Sequence, residues 1–188
     1  MASREEQRER VIERLSAHLL ETGLSQTSLR QLAAAADVSD RMLLYYFEDK
    51  TDVLAASLGQ IALRLTDVLD ASIAAGEKLS PPKLIHVAAN LTLSPETKPF
   101  FRLWTEIVVA AAARDEAPFR TIANAIAEQF LLWIEDRLEG GDVQTRRATA
   151  AMVLAMIDGL ALLEICTDET RAEIAGAQMG RLIHPDFE

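Results

Sequence analysis

The chain has 188 residues, 49% of them apolar, with a net charge of −10 and a single cysteine. That length supports one or two domains with a real core, and the apolar share excludes a disordered chain. One cysteine excludes an internal disulfide, and the acidic balance excludes a strongly basic nucleic-acid binder. Ala and Leu dominate, and Pro is scarce inside the periodic stretches, so an all-α fold is expected. The N-terminus is charged and no 18-residue uncharged apolar run occurs, so the expectation is a soluble, cytoplasmic protein without a membrane segment.

In chain order, residues 3–22 predict a first helix with Val11, Ile12, Leu15, Leu19 and Leu20 as its apolar stripe, ended by Gly23. Ser28 and Gln31 form a capping-box pair for a second helix, on which Leu29, Leu32, Ala33 and Ala36 share one face. Asp37 and Val38 break that helix; Asp tolerates the left-handed backbone of a sharp turn. Ser39 then caps a third helix, Asp40 to Tyr46, with Leu43 and Phe47 facing inward. Asp49 caps a fourth helix that runs to about Ala75 and stops at Gly76. Pro81 and Pro82 open a helix to about Leu93, and residues 94–99 form a loop. Further helices are expected from Phe100 to Ala113, from near Glu116 to Leu138, from the cap Asp142 to Cys166, and from Glu169 to Leu182, about nine in all. Cys166 lies in an apolar run and is expected to be buried and inert.

Two short helices joined by a tight turn have the form of a helix-turn-helix, whose second helix enters the DNA major groove. An ordinary helical hairpin has the same spacing. The charge is uneven: residues 1–50 carry a net −2 and residues 51–188 a net −8. A positive face must therefore come from Arg30, Arg41, Lys50 and two helix N-termini.

From residue 8 to about 55 the chain resembles the N-terminal DNA-binding domain of the tetracycline-repressor-like (TetR) transcriptional regulators. Gly23, Thr27, Ser28, Arg30, Leu32, Ala33, Val38, Ser39, Leu43, Tyr46, Phe47, Lys50 and Leu54 carry the resemblance. Asp37, Arg41, Met42 and Leu44 depart from it, since the family has Gly, Gly or Pro, Thr and an aromatic at those places. Met42 cannot give a phosphate the hydroxyl hydrogen bond that Thr would. The resemblance implies a DNA-binding domain over 1–50 and a helical ligand-binding and dimerisation domain over 51–188. It implies a homodimeric regulator, most simply a repressor, on palindromic double-stranded operator DNA. Arg30 and the helix from Ser39 through Arg41, Met42, Leu44, Tyr45 and Tyr46 would read the operator, and Thr27, Ser28 and Lys50 would hold its backbone.

The C-terminal helices carry Phe101, Trp104, Phe130, Trp133, Met152 and Met156, with His86, Glu106 and Asp158 as polar residues among them. An apolar pocket with a few polar groups is the usual form of a small-molecule site, and plain core is the other reading of these residues. With the resemblance, they become the expected site of an unidentified small-molecule effector, which would act by tilting the fourth helix. Ala148, Ala151, Ala155, Gly159 and Leu163 form a row of small and apolar residues, and Leu154, Leu162 and Ile165 are expected at a dimer interface.

No phosphate loop, G-x-S-x-G, H-E-x-x-H or Glu-x-x-His occurs, and His18, His86 and His184 lie far apart. No catalytic residue, metal ligand or cofactor is expected. The alternative to a regulator is an all-α small-molecule-binding or interaction protein whose helix-turn-helix no longer binds DNA.

Overall fold

The computed structural model describes residues 3–113, 117–167 and 169–182. Among them are nine α-helices and no strand. They are α1 (Arg4–Thr22), α2 (Leu29–Ala35), α3 (Asp40–Tyr46), α4 (Lys50–Ala71), α5 (Pro81–Thr92), α6 (Lys98–Ala112), α7 (Ala117–Arg137), α8 (Val143–Cys166) and α9 (Glu169–Leu182). The all-α expectation is met, and the start of α7 expected near Glu116 lies outside the described residues.

Local chemistry places most boundaries. Ser3 caps α1 through a capping box with Glu6, and Gly23 ends it at φ +67°. The Asp142 carboxylate caps α8 by accepting the Thr145 N–H at 2.7 Å, which holds its pKa below the usual carboxylate range. Three features depart from expectation, the first being that α6 begins at Lys98, inside the stretch 94–99 expected as a loop. A 3₁₀ turn, Gly23–Gln26, follows α1. The fourth helix ends at Ala71 rather than near Ala75, because the N–H groups of Ser72 and Ile73 tighten onto the carbonyls of Leu69 and Asp70 and Ile73 turns into the core.

The chain forms two compact units. The first comprises residues 1–64 and 103–124, the second residues 65–102 and 125–188. In the first, Val11, Leu15 and Leu19 of α1, Leu32 and Ala33 of α2, Leu43 and Phe47 near α3, and Val53, Leu54 and Leu58 of α4 are all buried. Ser16 and Ser57 let α1 and α4 approach closely: both are buried, and the Ser16 hydroxyl donates to the Ser57 carbonyl at 3.1 Å. Arg64 of α4 pairs with Glu13 of α1.

In the second unit Leu84, Ile85 and Ala89 of α5, Ile134 of α7 and Ala150, Val153, Ile157 and Leu160 of α8 form one core, completed by Ala172 of α9. The Leu79 backbone joins the end of α7: its N–H donates to the Arg137 carbonyl at 2.7 Å, and its carbonyl accepts the Glu139 N–H at 3.0 Å. Asp70 of α4 accepts the Trp133 indole N–H at 2.8 Å and a guanidinium N–H of Arg137 at 2.5 Å. The Arg137 bond chiefly, with Trp133 helping, holds the Asp70 carboxyl below its ordinary pKa.

One side of α8 faces that core and the other does not. Ala148, Ala151, Met152, Ala155, Gly159, Leu162 and Cys166 recur at helical spacing and are exposed. Cys166 is therefore exposed rather than buried, and Leu154, expected at an interface, packs partly on the core instead. By length and composition α8 is long and apolar enough to cross a membrane, a property that core helices share.

Candidate nucleic-acid interface

Residues 28–47 fold as the sequence dictates, turn included. Ser28 caps α2 and Gln31 returns the bond to the Ser28 N–H. α2 ends in a Schellman turn: the Val38 N–H donates to the Ala33 carbonyl at 3.0 Å, and the Asp37 N–H to Ala34 at 3.1 Å. Asp37 occupies the left-handed position of that turn, φ +57°, where glycine is the usual residue. Arg14 of α1 compensates, donating to the Ala36 carbonyl at 2.7 Å and to the Asp37 carboxylate at 3.3 Å. Nothing local in the sequence marked Arg14 for this role. Ser39 then caps α3 by accepting the Met42 N–H at 3.2 Å.

α3 is two-sided. Leu43, Tyr46 and Phe47 are buried, while Met42, Leu44 and Tyr45 are 38%, 47% and 57% exposed and Arg41 is exposed beside them. Tyr46 is thus a correction to the expected contact set. Its ring is buried, and its hydroxyl donates to the Gln7 side chain at 2.5 Å, so it supports α3 instead of facing outward. Tyr45 is the outward tyrosine and is held firmly. The Arg4 guanidinium lies 4.8 Å over its ring and donates to its carbonyl at 2.9 Å, and the Tyr46 ring meets it edge-on at 5.4 Å. Arg8 lies 4.9 Å over the Phe47 ring. The first turns of α1 therefore position α3, through contacts some 40 residues apart in sequence.

The flanking groups divide. Arg30, Arg41 and Lys50 are exposed, with no hydrogen-bond or ion-pair partner among the described residues. Thr27 and Ser28 already use their hydroxyls, on the Leu24 carbonyl at 3.1 Å and on Gln31. Asp49 caps the N-terminus of α4 as expected, accepting the Asp52 N–H, and Asp52 accepts the Glu48 N–H, so that terminus is already occupied by carboxylates. The positive face rests on the three free cations.

The residues expected around a ligand are dispersed. Phe101, Trp133 and Met156 pack against the core of the second unit, and Phe130 and Asp158 are half-buried there. His86 is exposed, 3.1 Å from the Asn90 amide, beside an open cleft of about 560 Å³ whose lining includes Ile73, Pro82, Val87 and Arg181. Met152 faces outward on α8. Trp104 and Glu106 belong to the first unit, where Glu106 accepts the Leu24 N–H at 2.6 Å. Among the described residues no three metal-ligating side chains come together.

Comparison with known proteins agrees with this geometry. Residues 16–57 match the model of bacterial regulatory proteins of the tetR family, a span that holds the end of α1, α2, the turn, α3 and the start of α4. No curated protein matches the chain in sequence. A tetR-family transcriptional regulator from Cytophaga hutchinsonii superposes with a TM-score of 0.75 at 18% identity, covering 97% of this chain and 96% of its own. The multidrug binding protein EbrR, solved with proflavin, gives 0.66 at 25% identity, covering 95% and 100%. A protein from Saccharomonospora viridis, solved with choline, gives 0.64 at 15% identity and 97% of both chains. Over residues 16–57 the chain thus matches the tetR family of bacterial regulatory proteins in sequence, and over nearly its whole length it shares the fold of a solved regulator of that family.

Proposed function

We propose that this protein is a cytoplasmic transcriptional repressor that binds a palindromic operator as a homodimer and releases it on binding a small molecule. The observation that carries the reading is the two-sided α3, buried through Leu43, Tyr46 and Phe47 and presenting Arg41, Met42, Leu44 and Tyr45 outward within the segment the family model matches. Arg30, Arg41 and Tyr45 contact base edges, and Lys50 neutralises a phosphate. Thr27, Ser28 and Ser39 serve by capping and positioning.

The dimer uses the exposed face of α8, with Ala155 and Gly159 allowing close helix approach and Leu162 and Ile165 supplying apolar area. The effector site lies in the second unit, and its candidate residues there are Phe101, Phe130, Trp133, Met156 and Asp158, with His86 at the open cleft. Two proteins of similar fold were solved with small organic molecules, proflavin and choline, which supports an organic effector. Such an effector acts only through a difference in affinity between the two states of the regulator.

The test is selection of bound duplexes from a random pool by the full chain, followed by footprinting of the enriched sequence. A protected palindrome is expected. Enrichment of no sequence would leave a small-molecule-binding protein whose helix-turn-helix has lost DNA.

A further inference from the structure

We infer that α3 reads its half-site mainly through thymine C5-methyl groups, with Met42 and Leu44 as the specificity-determining residues. The inference rests on the DNA-binding reading above and goes beyond it by naming what is recognised.

The argument is an inventory of the outward surface of α3. Base edges in the major groove are told apart by hydrogen-bond donors, acceptors and one apolar feature, the thymine methyl. Asn, Gln, Ser and Thr side chains, which commonly bond to bases, are missing from the outward face. Ser39, at the N-terminal edge of α3, is the exception: its oxygen accepts the Met42 N–H and only its O–H is left to donate, while the Tyr46 hydroxyl is bonded to Gln7. What remains for hydrogen bonding along the helix is the Arg41 guanidinium, the Tyr45 hydroxyl and, at its start, the Ser39 O–H and the exposed Asp40 carboxylate, which accepts only from the amino group of a cytosine or an adenine.

Met42 and Leu44 are 38% and 47% exposed and offer almost nothing to a donor or acceptor. Arg41 and Tyr45 stand four apart and share one line along the helix, and Leu44 and Met42 fall on its two flanks. The two apolar side chains therefore bracket the pair that can hydrogen-bond. In a groove, an apolar side chain seated on an amino or carbonyl edge would desolvate it without compensation, whereas a methyl gains from the same contact. The Tyr45 ring, fixed by Arg4 and Tyr46, adds a third apolar surface without losing side-chain freedom on binding.

The experiment uses the full-length protein and the operator obtained by selection. Each thymine of one half-site is replaced in turn by uracil, which removes only the methyl. At two or more positions binding should fall about fourfold, the value of one apolar carbon returned to water. Leu44→Ala and Met42→Ala should each abolish the thymine-to-uracil ratio at one position, while Arg41→Ala should weaken thymine and uracil operators alike. Because the readout is a ratio between two DNAs, a partly folded variant does not distort it. An enriched operator whose uracil forms bind as well as the parent overturns the methyl readout and leaves DNA binding standing. Enrichment of no sequence overturns both.

Discussion

The Glu106 carboxylate of α6 accepts the backbone N–H of Leu24 at 2.6 Å, across 82 residues of sequence. It occupies the space that a Cβ on Gly23 would need, and Gly23 has φ +67° and ψ −157°, a conformation open essentially to glycine alone. Glycine at 23 and glutamate at 106 are thus one feature, which joins α6 to the start of the 3₁₀ turn.

Removing the acceptor leaves that N–H without a partner. Glu106→Ala is expected to lower stability by about 1–3 kcal/mol, the range for a backbone donor left unsatisfied. Gly23→Ala should lose more, since backbone strain and collision add. Urea denaturation of both variants beside the parent measures this, and unchanged midpoints would show that the bond contributes nothing net.

At the turn between α2 and α3, Asp37→Gly should be nearly neutral, because relief of the left-handed backbone offsets the lost contact with Arg14. Asp37→Val should lose about 1–2 kcal/mol from the same backbone position. Equal melting temperatures for the two variants would contradict this account of the turn.

Leu162→Arg or Ala155→Arg is expected to convert the dimer to a monomer, since an unpaired charge in an apolar interface is expensive. Sedimentation at micromolar concentration reads the outcome. A wild-type chain that sediments as a monomer there sinks the proposed α8 interface and the palindromic operator with it.

Lys50→Ala should weaken binding to all duplexes alike and reduce the slope of log affinity against log salt by about one unit. Arg30→Ala should weaken binding and also relax base preference. Titrations at several salt concentrations separate the two, and parental behaviour from both variants would place the contact surface elsewhere.

Asp70, bonded to Arg137 and Trp133, has a lowered pKa, so the stability it adds is complete above the ordinary carboxylate range. It is lost as the pH falls through the lowered folded value. Asp70→Asn should therefore lower stability at neutral pH by about 1 kcal/mol, a modest figure because the carboxylate is partly exposed. The difference from the parent should shrink toward zero in acid. Thermal melts from neutral pH down to pH ~3 test both sign and direction.

Helix limits and the turn were legible in the sequence because the forces behind them are local. Ser28 with Gln31, Ser39 and Asp142 act within one turn of backbone, and each stands where expected. The reading helix itself, Asp40 to Tyr46, has the bounds its cap and apolar spacing imply. The candidate site was legible only in part: period and composition put Arg41, Met42, Leu44 and Tyr45 together, but two adjacent tyrosines look alike in a sequence.

What the amino-acid order alone determined, then, is where most of the helices begin and end, to within a turn, and which residues share a helix. Only the tertiary structure decided which way a side chain faces when apolar residues nearly encircle its helix. Tyr46 is inward because Gln7 receives its hydroxyl, and Tyr45 is outward because Arg4 stacks on it. Met152 and Cys166 are exposed because Ala150, Val153 and Leu160 claim the core side of α8. Glu106 belongs with the helix-turn-helix unit because Leu24, 82 residues earlier, presents it with a free N–H. Such choices depend on partners distant in sequence, and an α-helix offers every face equally until a neighbour packs against one of them.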